Sequence, residues 1–546
     1  MKIFLALLVV FVAASAASAQ ITVHGMVHCA DGSAPILAHA HLGKMHENAT
    51  KSSSVECNAK GAFTMTVPAP GIYELRVSAV SHTEASIPLI VTEPKKEITL
   101  DVMLKANNYD PMPEHVRIIG DWNKFEFAGT DTLAPVQDPN GIYTFVGDHI
   151  ATADTLAYQL LSVAGNHSVN GSQADYYTYD GGGDYRSVLR TKKGEKVTIT
   201  YDPAKMQYAS SMRLPRIQFN DEFLMKAYAL YSTVEQMSEE MIVETNGQRS
   251  ISGEKYQAML GYIRTALSGA QASGNTTLAQ YAAVVLASQY NPDLPLSKDD
   301  AATILAAVPA NSPMWSLAPH EVIELTSLVE PNQGAAYRTG LESNPERSVR
   351  AVALANRLET AYTAKRTDEA RTLYTTLKTE YKDIDDIKYE ITKFNPDAAV
   401  QLGKHVPPFE LALLGEASKV SDKSMLGHYY MIDFWATWCG PCVREMPAIH
   451  KAYEKFRGRK GFEILSISMD AAEGQIAPFR AKKWKMPWLH AFIPGIFNAD
   501  LAKEFEVAGI PRPILVGPDG TIVAMEDSMR GENLEKTLAK FLGEPN

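Results

Sequence analysis

Two cysteines separated by two residues, Cys439 and Cys442, stand between a continuous apolar run and a helical pattern. The run is Tyr429-Tyr430-Met431-Ile432-Asp433-Phe434-Trp435-Ala436, and the segment Trp438-Cys439-Gly440-Pro441-Cys442-Val443 follows it. An apolar run of this length reads as a buried strand, which places the two cysteines at a strand-to-helix junction. Cys-x-x-Cys at a strand-to-helix junction has two chemical readings, a redox dithiol and half of a zinc site. Tetrahedral zinc needs four ligands. No other cysteine lies within several hundred residues, and the downstream histidines His450 and His490 are unpaired in sequence. Reversible dithiol–disulfide chemistry is therefore the stronger reading, and no metal is expected there.

If a helix starts at Cys439, that thiol sits beside unpaired backbone N–H groups at the positive end of the helix dipole. Both favour a thiolate, which makes Cys439 the expected attacking and partly exposed nucleophile. Cys442, one turn on and more enclosed, would resolve the mixed disulfide. Gly440 and Pro441 suit a tight helix start, because proline in the first turn forfeits no needed hydrogen bond. Pro447, further along, is expected to kink the helix.

The segment Asp433-Phe434-Trp435-Ala436-Thr437-Trp438-Cys439-Gly440-Pro441-Cys442, followed by Arg444-Glu445-Met446-Pro447, resembles the active-site region of thioredoxin-fold proteins. The Arg-Glu-Met-Pro tail resembles the TlpA-like, exported branch. Leu402-Gly403-Lys404-His405-Val406-Pro407-Pro408-Phe409-Glu410-Leu411 is similar to that branch's opening strand, and Gly509-Ile510-Pro511 before Ile514-Leu515-Val516 is similar to its cis-proline loop. The resemblance implies that Pro511 faces the dithiol and helps hold an extended substrate, with Ile510 as the preceding contact. Trp438, Gly440 and Pro441 complete that expected substrate rim. Arg512 could favour acidic substrates or simply be solvated.

Asp433 interrupts an otherwise apolar strand, where an unpaired charge is costly. Desolvation would raise its pKa and fit it to accept a proton from Cys442. The alternative is an aspartate at a solvated strand end. Aligning Asp470 after the next strand places Ser466 where thioredoxin has a lysine partner for this aspartate, so the family's proton network does not transfer whole. Glu445 lies three residues past Cys442 on an adjacent helical face. The TlpA resemblance implies that it tunes the cysteines; otherwise it is an exposed helix carboxylate.

Lys2, the apolar stretch from Ile3 to Ala14, and Ala17-Ser18-Ala19 before Gln20 read as a cleavable secretory signal peptide over 1–19. That predicts a periplasmic or extracellular protein. Cys29 and Cys57 remain outside the dithiol, and an oxidising compartment permits a structural disulfide between them; two free buried thiols are the other reading. Net charge is −11, from 52 basic and 63 acidic residues. No basic run accompanies it, so nucleic acid and anionic lipid are not expected partners.

Residues 20–106 alternate short β-rich runs with turns. With Asp31-Gly32-Ser33-Ala34-Pro35 they resemble a carboxypeptidase regulatory-like β-sandwich. His24, His28, His39, His41 and His46 raise a metal reading. His24 and His28 would be about 13 Å apart along a strand and cannot share an ion. His39 and His41 share a face but lack an evident carboxylate beyond Glu47, so solvated strand positions are favoured. Residues 107–216, through Val116-Arg117-Ile118-Ile119-Gly120-Asp121-Trp122-Asn123, resemble a glycogen-binding-type early-set sandwich. Trp122, Tyr176, Tyr177 and Tyr179 could stack on a glycan, but core packing of Trp122 is the plainer expectation. Residues 217–399 turn to amphipathic helices, with 347–381 weakly resembling a tetratricopeptide-like hairpin. Residues 400–546 are the TlpA-like thioredoxin domain.

The expected architecture is multidomain: two β-sandwich modules, an all-α middle domain and a C-terminal α/β thioredoxin fold. The expected activity is an exported thiol–disulfide oxidoreductase reducing a disulfide-containing client protein, recharged by an upstream electron donor. The cysteines carry the electrons, so no bound cofactor is needed. A partner- or glycan-binding scaffold with an accessory redox domain is the alternative. A peroxidase is weaker, since Ala436-Thr437-Trp438 is not a peroxidatic-cysteine setting.

Overall fold

The computed structural model describes residues 21–544 except 45–52, 92–96, 114–115, 126–132, 165–167, 208–211, 213 and 246–247. The signal-peptide segment 1–19 and His46 lie outside the described residues. The molecule is multidomain and forms two compact units, one running to Arg350 and one from Ala351 onward. No helix among the described residues is long and apolar enough to cross a membrane.

In the first unit, period-two alternation builds the opening sheet. Ile21, Val23, Val27 and Cys29 of the strand Ile21–Cys29 point inward, while His24 and His28 fall on the other face. That strand runs parallel to Glu97–Leu104 and antiparallel to Ala62–Val67. The late strand Arg216–Phe219 returns to pair with Glu97–Leu104, so residues 20–106 do not complete this sheet alone. A second four-stranded sheet contains Ser53–Glu56, His39–Lys44, Gly71–Ser78 and Ala85–Val91. Two further sheets, built around Tyr143–Gly147 and Thr155–Leu161, both contribute to one buried cluster that includes Phe145, Tyr158 and Ile199. Helices from Glu222–Met241 to Pro331–Leu341 follow, interrupted by the hairpin Ile242–Thr245/Gln248–Ile251.

The second unit starts inside the helix Arg347–Thr363 and continues with Thr367–Glu380 and Lys388–Lys393. Its core is a five-stranded sheet in the order Leu489–Phe492, Glu463–Ser468, Tyr430–Trp435, Arg512–Val516, Ile522–Met525. The first three strands are mutually parallel; the last two are antiparallel to their neighbours. Tyr430–Trp435 is central and buried at every position. One face carries Gly440–Phe456 and Gly531–Leu542, whose Ile449, Phe456, Leu534 and Leu538 join a single apolar cluster. The other face is filled by Val406, Phe409, Ala502 and Phe505. In Gly440–Phe456 the buried residues Cys442, Met446, Ile449, Tyr453 and Phe456 recur at helical spacing. The helix runs through Pro447, which sits on its exposed face.

Candidate active site

The central strand delivers its C-terminal end to a turn in which the Cys439 N–H donates to Ala436 O at 3.1 Å. Cys439 is the N-cap of Gly440–Phe456, and its sulfur accepts from the Cys442 N–H at 3.1 Å. Pro441 occupies the first helical turn, where a missing N–H costs nothing. Cys439 and Cys442 are joined as a disulfide. Cys439 is 4% exposed and Cys442 1%, so the first thiol is less open than expected. Access to the pair is defined by its rim: Trp438 is 53% exposed, and Gly440 and Pro441 are exposed beside it.

The Ile510–Pro511 peptide is cis, and Ile510 O lies 3.6 Å from Cys439 Sγ. Gly509 precedes it; a Cβ there would stand 3.2 Å from the Tyr389 ring, so glycine lets Lys388–Lys393 pack against this loop. Arg512 meets neither expectation raised for it. It is buried and donates to Glu526 at 2.7 Å, which consumes its charge inside the protein.

Behind the dithiol, Asp433 is 2% exposed. Strand alternation puts it on the face of Met431 and Trp435, which share a buried cluster with Cys439, Cys442 and Met446. Burial pushes its carboxyl up to about 7; the Glu445 charge adds to this and Arg530 offsets it. Glu445 is tied down, accepting from the Gly531 N–H at 2.7 Å and lying 3.4 Å from Arg530 Nε. It therefore also caps the helix Gly531–Leu542. Ser466 is the register partner of Asp433, and its hydroxyl accepts from Trp488 Nε1 at 2.8 Å. Ser466 is in turn the partner of His490, a buried imidazole pushed down to about 4 by desolvation and hence neutral.

Asp470 is a residue that sequence reasoning used only for alignment. Fully buried, it accepts from Thr437 N at 3.0 Å, Thr437 Oγ1 at 2.6 Å and Ser468 Oγ at 2.8 Å. It thereby clamps the loop that presents Cys439. The visible signal was an aspartate just beyond a strand end, two residues after a serine.

The remaining candidates do not gather at this site. Cys29 and Cys57 are both free and buried, so the expected bridge is not made. Cys29 ends a strand of the first sheet with its sulfur 4.0 Å from His82 Nδ1, whereas Cys57 follows Ser53–Glu56 of the other sheet. Burial pushes the Cys57 thiol up to about 12. His24 and His28 lie 3.5 and 3.8 Å from Glu97 and Asp101 across the parallel pair. His39 stacks on Tyr179 at 4.2 Å, and Trp122 packs against the buried cluster of its module, so two of the four aromatics proposed for sugar stacking are already engaged. Among the described residues, the one group of three potential metal ligands is Cys29, Asp31 and His82; the dithiol belongs to none.

A dithiol capping a helix, a cis-proline loop against it and a buried carboxyl behind it define a thiol–disulfide oxidoreductase on a thioredoxin-like fold. The comparisons agree. Residues 427–522 match the family model described as Thioredoxin-like. Tryparedoxin of Trypanosoma brucei brucei is 33% identical over 131 residues, 24% of this chain and 88% of that protein. Thiol-disulfide oxidoreductase ResA of Bacillus cereus is 28% identical over 149 residues, 27% of this chain and 81% of the relative. The solved thioredoxin domain of a thiol-disulfide oxidoreductase from Bacteroides vulgatus is 30% identical, with 26% of this chain and 99% of that one covered at a TM-score of 0.24. Through its C-terminal part, this chain belongs to the thioredoxin-like family of thiol–disulfide oxidoreductases.

Proposed function

We propose that this protein is an exported, TlpA-like reductase of disulfides in client proteins. The observation that carries the reading is the placement of Cys439 at a helix N-terminus, 3.6 Å from the Ile510 carbonyl of the cis-proline loop. In the reduced enzyme, the Cys439 thiolate attacks one client sulfur and the client S–S bond breaks. The second client sulfur leaves as a thiolate and takes a proton. Cys442 gives its proton to Asp433, whose raised pKa suits it to accept one near neutrality, and attacks Cys439 Sγ. The bond from Cys439 to the first client sulfur breaks, that sulfur leaves as a thiolate and takes a proton, and the enzyme is left as its disulfide. Two electrons have passed to the client, and an upstream dithiol donor in the membrane returns them. A Gly-Pro pair between the cysteines matches the reducing thioredoxin, at about −270 mV.

Trp438, Gly440, Pro441, Ile510 and Pro511 form the client contact surface in this reading. Glu445 acts on Asp433 rather than on the sulfurs directly. The two β regions serve as sandwich modules that, with the helices, position the redox domain or its clients. Export through residues 1–19 predicts a mature N-terminus at Gln20, which terminal sequencing of the secreted chain checks. The enzymatic reading is tested with Cys442→Ala: it should accumulate mixed disulfides on Cys439 in cells, and the wild-type chain should reduce insulin. Absence of both rejects the reductase in favour of a scaffold.

A further inference from the structure

The geometry of the first unit points to a second cysteine site: we propose that Cys29, Asp31 and His82 bind one zinc ion. One potential ligand atom from each residue lies within 4.8 Å of the others. His82 Nε2 is 4.0 Å from Asp31 Oδ1, and Cys29 Sγ is 4.0 Å from the other ring nitrogen, Nδ1, so the sulfur must swing toward the Nε2 edge to share an ion. Ligand atoms around tetrahedral zinc stand about 3.5 Å apart, given metal–ligand bonds of about 2.0–2.3 Å. Reaching that spacing from separations of up to 4.8 Å requires the Cys29 and His82 side chains to rotate.

The backbone holds the three residues in register. Cys29 ends its strand, and the turn after it is pinned by the Ala30 N–H donating to Leu104 O at 3.0 Å and the Gly32 N–H donating to Cys29 O at 3.0 Å. His82 lies in the loop after Gly71–Ser78 and bridges to Ala106, with the Thr83 N–H donating to Lys105 O at 2.8 Å and the Asn107 N–H to Ser81 O at 2.9 Å. Both loops therefore hang on the same short segment, residues 104–107. Side chains 53 residues apart are brought together by that shared anchor.

Outer hydrogen bonds orient the ligands in the way metal sites need. His82 Nδ1 lies 2.9 Å from Val80 O, an acceptor, so Nδ1 carries the proton and Nε2 is the lone-pair nitrogen facing Asp31. Asp31 Oδ1 accepts from Ser33 N at 2.9 Å and Ser33 Oγ at 2.7 Å, which fixes the carboxylate. Sulfur, imidazole and carboxylate together are a borderline-soft donor set, suited to zinc and unlike the all-oxygen shells of calcium or magnesium. Cys29 and His82 are buried and Asp31 is partly open, leaving a fourth position for water. His82 also lines a polar cavity of about 530 Å³, with Ser81, Thr83, Asn107 and Asn170. On binding, the Cys29 thiol loses its proton to solvent and no electron moves.

Cobalt(II) titration of the full chain with Cys439 and Cys442 bridged tests this, because the redox sulfurs then offer no thiolate. One equivalent should bind with a thiolate-to-cobalt charge-transfer band, and zinc should displace it. The band should vanish in Cys29→Ser and persist in Cys57→Ser. His82→Gln and Asp31→Asn keep the sulfur and should each weaken binding by about tenfold or more, with far-UV circular dichroism confirming that each variant is folded. A folded wild-type chain that takes up no cobalt, an undiminished band in Cys29→Ser, or unchanged affinity in both other variants overturns the proposal.

Discussion

The two units hold two kinds of cysteine. In the second unit, Cys439 and Cys442 are one helical turn apart, at the mouth of a helix and in front of a buried acid. In the first unit, Cys29 ends a strand of one sheet and Cys57 follows a strand of another, and the two are unbridged. Both pairs are buried, so burial does not separate the redox centre from the unbridged thiols. The difference lies in what surrounds the sulfur: a capping position and an exposed rim in one case, strand ends and a histidine–carboxylate pair in the other.

The sharpest way to break this contrast is to exchange the roles by mutation. Cys439→Ser should bring insulin reduction down to the uncatalysed background, while Cys57→Ser should change it less than about twofold, a change within the range of a bystander thiol. Next in size is Asp433→Asn. Losing a general acid–base group costs about 100-fold or more, and the pH–rate profile should lose its inflection near 7. Stability should move the other way. A carboxyl raised from 3.8 to about 7 in the folded state keeps folding favourable below its unfolded pKa, and that advantage is lost as pH rises through 7. Asp433→Asn should therefore raise the thermal midpoint at pH 8 more than at pH 5, measured by calorimetry.

Asp470→Ala should follow. It strands the part-buried Thr437 amide and hydroxyl and the buried Ser468 hydroxyl, at about 3 kcal/mol of stability, readable by denaturant titration, with a fall in turnover as the Cys439 loop loosens. Glu445→Gln should act least. Removing its charge takes away the second contribution holding Asp433 up, so the pH-profile midpoint should fall by less than about one unit.

How much of this was legible in the chain depends on sequence distance. The dithiol, its helix start, the central strand and the buried Asp433 are encoded within about ten residues, and local pattern suffices for such features. The cis-proline loop is legible through resemblance alone, since nothing in Gly509-Ile510-Pro511 states which sulfur it faces. Tertiary partners escaped. Asp470 reaches back 33 residues to Thr437, and Glu445 crosses 86 to Gly531. Arg512 finds its partner Glu526 across a hairpin, so neither the substrate-selecting nor the solvated expectation for it could see that pairing. The bridge expected between Cys29 and Cys57 failed for the same reason. Cysteine count and compartment permit a bond, but strand placement sent Cys29 toward His82, 53 residues away. The late strand Arg216–Phe219, which completes the opening sheet, likewise carries no local sign of its partner.

The most direct test of the account is a redox titration of the full-length chain in dithiothreitol buffers, with alkylation and mass mapping of each cysteine. The account predicts that Cys439 and Cys442 change state together as one two-electron couple while Cys29 and Cys57 keep theirs. Conversion of Cys29 and Cys57 to a disulfide across the same range, or a Cys439–Cys442 pair that does not titrate, would contradict it.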